Sequence, residues 1–119
     1  MYRGFSIGGE WWHVNLVPPS SPFLIDRTGR LTVATTDTVR RRINVSDAIH
    51  GAFLKRVLGH EITHIIMDIY GMNKRIKELA GNHSIEIEEM ICNIVADHGD
   101  DILQTAHNLL TRLDSIQAA

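Results

Sequence analysis

Leu54-Lys55-Arg56-Val57-Leu58-Gly59-His60-Glu61-Ile62-Thr63-His64-Ile65-Ile66-Met67-Asp68-Ile69 is the stretch on which the fold turns. Leu54, Leu58, Ile62, Ile65 and Ile69 recur every three or four residues, the period of a helix with one face against a core. Ser46 stands where an N-cap is wanted, and Asp47 puts negative charge in a first turn. Gly71 supplies a C-terminal stop. The spacing therefore predicts one long helix between Ser46 and Gly71.

Upstream, the chain reads as β-structure. Glu10 to Val17 is rich in aromatic and β-branched residues, and Pro18-Pro19-Ser20-Ser21-Pro22 ends it. Phe23-Leu24-Ile25 reads as a short extended piece before an Asp26-Arg27-Thr28-Gly29 turn. Leu31 to Thr36 and Arg41 to Val45 read as two strands joined through Thr36-Asp37-Thr38. Together these predict a small antiparallel sheet. Downstream, Gly71 to Ser84 is polar and basic, a loop with a helical turn or two. A second helix is predicted from Ser84 to His98, stopped by Gly99. Asp100-Asp101 then caps a third, running to Ile116 with Ile102, Ala106, Leu109, Leu110 and Leu113 on its apolar face. Sheet first and helices after is the α+β pattern.

The chain has 119 residues, enough for one core, so a single domain over 1–119 is expected. Lys and Arg number 12 against 14 Asp and Glu, a net charge of −2. Such a balance offers no global attraction to nucleic acid or an anionic membrane. The one cysteine, Cys92, cannot form an internal disulfide. Met1 to Glu10 lacks an apolar signal-like run, and no stretch is long and apolar enough to span a bilayer. The expectation is a cytoplasmic protein.

The chemistry lies inside the long helix. His60 and His64 are four residues apart and share a helical face, so two imidazoles can converge on one ion. Glu61 is a neighbour of both, placed to act on a metal-bound water without ligating the metal. This H-E-x-x-H spacing is that of zinc peptidases, in which Zn2+ is the Lewis acid and the glutamate takes the proton. A third protein ligand is needed, with one position left open. The extended zincin motif with a third histidine fails here, because its glycine and histidine positions are Met67 and Tyr70. Asp68 is better suited to an outer hydrogen bond or to solvent. The next helix offers Glu86, Glu88 and Glu89 among apolar residues, where carboxylates are unexpected unless something positive faces them. Glu89, with Asn93 one turn on to support a neighbouring ligand, is the leading candidate and Glu88 the runner-up. Adjacent helical residues point about 100° apart, so one is expected to face inward and the other solvent.

Leu58-Gly59-His60-Glu61-Ile62-Thr63-His64 followed by Glu89-x-x-Cys92-Asn93-x-x-Ala96 resembles the ImmA/IrrE-type metallopeptidases, especially short phage and mobile-element versions. The second motif is degenerate: Cys92 stands for an alanine and Val95 for a phenylalanine. The family's leucine-leucine-methionine-proline segment is absent. The resemblance covers roughly residues 30 to 105. It selects Glu89 as third ligand, and it implies a minimal zincin fold and an intracellular zinc endopeptidase. Its expected substrate is a regulatory protein such as a helix-turn-helix repressor. The competing expectation is a metal-binding interaction module that sequesters a regulator without cutting it.

Other conspicuous residues read more plainly. His98 is a helix-end residue, and His50 lies too far along the helix to share the ion. His13, His83 and His107 are surface or satisfied polar groups. Trp11-Trp12 is core packing with one ring partly exposed, and Arg40-Arg41-Arg42 is a solvated strand end. Cys92 is a small core residue.

Overall fold

The computed structural model describes residues 2 to 118. Four strands, β1 (Tyr2–Ile7), β2 (Glu10–Val17), β3 (Ala34–Asp37) and β4 (Arg42–Ser46), precede three helices: α1 (Gly51–Ile69), α2 (Met72–Ala80) and α3 (Ser84–Ala118). The class is α+β, as the sequence predicts. The sheet order is β1-β2-β4-β3.

Gly8 and Gly9, both at positive φ, close the β1–β2 hairpin in a conformation that other residues adopt at a cost. β1 lies outside the strands that the sequence predicts, because its alternation is broken by Gly4. That glycine has a packing reason: a Cβ there would stand 2.0 Å from the ring of Trp11.

The sheet is mixed rather than antiparallel. β2 and β4 run parallel, with Val14 opposite Ile43, while β3 pairs antiparallel with β4. The reason lies in the 18–33 connection, which passes over β4 and delivers the chain to the far edge. β3 and β4 then form a hairpin that brings β4 in alongside β2. The predicted strand at Leu31 shortens to Ala34, since Thr32 ties its hydroxyl to the carbonyls of Leu24 and Ala34. Leu31 keeps only an isolated bridge to Ile25, and residues 22–24 form a 3-10 turn rather than an extended piece.

One sheet face packs on α1. Trp12, Ala34, Ile43 and Val45 meet Val57 and Ile65, with Leu54, Leu58, Ile62 and Ile69 packed around them. The predicted stripe is thus the core face of α1. The helix begins at Gly51 rather than after Ser46, with His50 as an extended N-cap residue. Ser46 instead ends β4, its N–H donating to Val33 C=O and its hydroxyl accepting from the Ala48 N–H in a turn ahead of the helix.

A second face of α1 meets α3. An added Cβ on Gly59 would lie 3.7 Å from the Cα of Ala96, and the Cys92 thiol lies 3.8 Å from the Met67 sulfur. Arg56 to Asp97 and Lys55 to Asp100, both at 2.5 Å, extend the contact. These pairs flank Gly99, which keeps helical φ, and α3 is one helix of 35 residues where the sequence predicts two. Trp12 is buried and Trp11 is 57% exposed, in line with the reading of that pair.

Ile65 is fully buried between the sheet and α1's neighbours. Ile65→Ala is expected to cost about 3 kcal/mol of unfolding free energy, measured by urea denaturation.

Candidate metal centre

The α1–α3 crossing brings the two predicted motifs together. The Nε2 atoms of His60 and His64 stand 3.2 Å apart. Glu89 closes the triangle, with Oε2 at 2.9 Å from His60 Nε2 and Oε1 at 3.1 Å from His64 Nε2. Four donors around a zinc ion at about 2.0 Å would be about 3.3 Å apart, close to these separations. The donor set therefore fits a small divalent cation in spacing and in chemistry.

The other ring nitrogens are held from behind. His64 Nδ1 is 2.7 Å from Glu88 Oε1, and His60 Nδ1 is 3.0 Å from Asn93 Oδ1. Such contacts fix ring orientation and leave Nε2 directed at the shared point. Glu88 and Glu89 both face the histidine pair, so the expectation that one of them meets only solvent is corrected. Their roles differ by position: Glu88 is buried against the ring edge, while Glu89 is 42% exposed on the cleft side. Ser84 to Met90 is helical, and the 100° step between neighbours is taken up by two histidines presenting different edges.

Arg27 explains how Glu88 tolerates burial. Its guanidinium donates to Glu88 Oε2 at 2.6 Å and lies 3.7 Å from Glu89 Oε1. Sequence reading places Arg27 in a turn and gives no sign of this role. The turn is as predicted, with the Gly29 N–H donating to Asp26 C=O. What escapes the sequence is that the crossover lays that turn against α3.

Glu61 is buried and points toward β3, where Thr36 Oγ1 donates to its Oε2 at 2.5 Å. Thr36 is a second residue that the motifs do not reveal. Both line a cleft of about 940 Å³ together with His60, His64, Glu89 and Asn93. β3 forms one rim of it. Because Val33 C=O accepts from Ser46, alternation turns the backbone of Ala34 and Thr36 away from β4 toward the open edge.

Charge within the site is strongly coupled. Burial of His64 favours its neutral form, but contacts with Cys92, Glu88 and Glu89 outweigh this and push its pKa well above the imidazole range. His60, then His64, hold Glu89 well below the usual carboxylate range. Burial raises Glu88, yet His64 and Arg27 more than reverse it, so its pKa is lowered. The two carboxylates thus demand a positive charge at this point, and a proton on His64 meets the demand in the metal-free protein.

Cys92 is a further donor. Its sulfur and the ligand nitrogens of His60 and His64 lie within 4.8 Å of one another, and the three together could hold a metal ion. Glu89 makes the closer approach, whereas Cys92 is fully buried and its thiol is turned to Met67. Asp68 is exposed on the cleft wall. His83 pairs with Glu86, and His98 and His107 are exposed, away from any helix end. Among the described residues, no helix is long and apolar enough to cross a membrane.

No family model, curated protein or solved structure matches the chain.

In the metal-free protein His64 is expected to titrate well above pH 6.5, and Glu88→Gln to bring that titration down. Imidazole NMR shifts followed against pH measure both.

Proposed function

We propose that the chain is a zinc-dependent endopeptidase of minimal zincin type, related to the ImmA/IrrE-type metallopeptidases that its motifs resemble. The observation that carries this reading is the convergence of His60 Nε2, His64 Nε2 and Glu89 beside Glu61 in one open cleft. His60, His64 and Glu89 would hold Zn2+, leaving one position open on the cleft side. When bound there, the ion would supply Lewis-acid chemistry to the scissile carbonyl and to water.

The remaining work falls to side chains and backbone of this chain. Thr36 pins Oε2 of Glu61 and leaves Oε1 to accept a proton from water and return it to the leaving amine. The open edge of β3 offers backbone donors and acceptors for an extended peptide, which adds as a strand along the rim. Glu88 and Asn93 keep the imidazoles oriented, and Arg27 keeps Glu88 ionised. The substrate is a regulatory protein, by resemblance a helix-turn-helix repressor, and the compartment is the cytoplasm.

Cys92 motivates a second reading. If its thiolate joined His60, His64 and Glu89, all four positions would be protein, as in structural zinc sites. The domain would then bind a regulator without cleaving it. Cobalt substitution separates the two: a thiolate-to-cobalt charge-transfer band that Cys92→Ser abolishes favours the closed site.

On the peptidase reading, protein purified without a His-tag carries one zinc per chain by elemental analysis. Glu89→Ala is expected to lose zinc at chelator concentrations that the wild type withstands. Glu61→Gln is expected to keep zinc and lose about 100-fold or more in cleavage, scored as new fragments from repressor proteins or a peptide library. Zinc-free wild type, or full cleavage by Glu61→Gln, refutes the mechanism.

A further inference from the structure

α3 spans about 52 Å, yet only its first half lies on the body. From Asp100 to Ile116 every side chain is exposed. The molecule is correspondingly long, 59 Å against 35 and 25 Å. The projecting half is not a polar helix. Ile102, Leu103, Leu109, Leu110, Leu113 and Ile116 are between 49% and 72% exposed.

These residues follow a heptad. With Ala106 and Leu113 at a and Ile102, Leu109 and Ile116 at d, the four-three alternation holds without a break. The same frame runs back through Gly99 and Val95, itself 42% exposed, to Cys92, where α3 is packed on α1. Leu103 and Leu110 fall at e and widen the stripe. Among a, d, e and g positions from Gly99 to Ile116, Arg112 is the one ionised residue.

We infer that this arm pairs with the arm of a second copy in antiparallel register. Three observations select a copy of this chain as the occupant. First, antiparallel pairing sets each a against a partner d, so Gly99 meets Ile116, Ala106 meets Leu109 and Leu113 meets Ile102, and both small residues face large ones. Second, antiparallel helices bring e against e and g against g. Leucines at e then face leucines, and Arg112 faces Thr105, so no like charges meet. Parallel pairing would instead set Gly99 on Gly99 and Ala106 on Ala106, leaving the seam underfilled at both of these a positions. Third, the six large residues expose about 600 Å² per copy, so covering both removes about 1,200 Å², the low end of stable interfaces.

The helix itself argues for a partner. Thr105, His107, Asn108, Thr111, Asp114 and Ser115 are all weak helix formers, and an isolated segment of this length is marginal in water. Pairing supplies the burial that sequence propensity does not. The inference is independent of the metal reading.

Sedimentation velocity on the full chain from about 1 to 100 μM tests it, spanning the weak end of stable association. The mass is expected to rise to twice 13.4 kDa. Leu109→Glu with Leu113→Glu should raise the dissociation constant at least about 100-fold, because it places charges inside the seam. Thr111→Glu, on the opposite face, should leave it unchanged. Tryptophan fluorescence during urea unfolding reports on Trp12 and controls for damage to the body. Disulfide trapping fixes the register: Thr105→Cys should cross-link to Arg112→Cys when the two single variants are mixed. A monomer throughout the range, a dimer indifferent to the double glutamate, or Thr105→Cys cross-linking to itself each overturns the proposal.

Discussion

Two adjacent carboxylates on α3 face the histidine pair of α1, Glu88 buried and Glu89 on the cleft side, and the body's helical layer depends on how their charge is met. Glu88 and Glu89 lose water on packing against α1, a cost that only opposite charge and hydrogen bonding offset. His64 answers both, His60 answers Glu89, and Arg27 reaches across from the crossover to Glu88. Three separate elements are therefore fixed by one polar cluster. The same cluster explains why α3 crosses α1 at Gly59 and Ala96, where small residues let the helices approach closely enough for the side chains to meet.

The cluster also divides labour between two glutamates that look equivalent in sequence. Glu88, buried and tied to Arg27, is the less free of the two and serves the ring edge of His64. Glu89 keeps access to the cleft and faces both Nε2 atoms. A cation at that point would replace a proton that is held there by the same carboxylates, so metal uptake and proton release are linked.

Much of the fold was legible because its signals are local. The α1 stripe, β2 and the 26–29 turn follow from periodicity and turn chemistry, and the H-E-x-x-H spacing alone brings His60 and His64 together. What escaped was set by connections. The parallel pairing of β2 with β4 depends on the 18–33 segment passing over the sheet, which leaves no mark in strand patterns. α3 continues through Gly99, which reads as a stop in sequence but keeps helical φ where Arg56 and Lys55 of another helix pair with Asp97 and Asp100. Arg27 and Thr36 were hidden for the same reason: each becomes a site residue only through a long-range contact. The degenerate second motif did point to Glu89, and Asn93 supports a neighbouring histidine as its spacing suggested. His98, by contrast, reads as a helix end only if Gly99 stops the helix.

Thr36 sits at the junction of the cleft and the sheet edge. Its hydroxyl holds Glu61, and its backbone faces the open edge of β3 where an extended chain would lie. On the peptidase reading, recognition and proton transfer would share one residue. A peptide that shifted the rim as it bound would re-aim the carboxylate with it. Selectivity among ligands would then register in turnover as well as in occupancy, giving a small domain with little surface to spare a form of proofreading built into its edge strand.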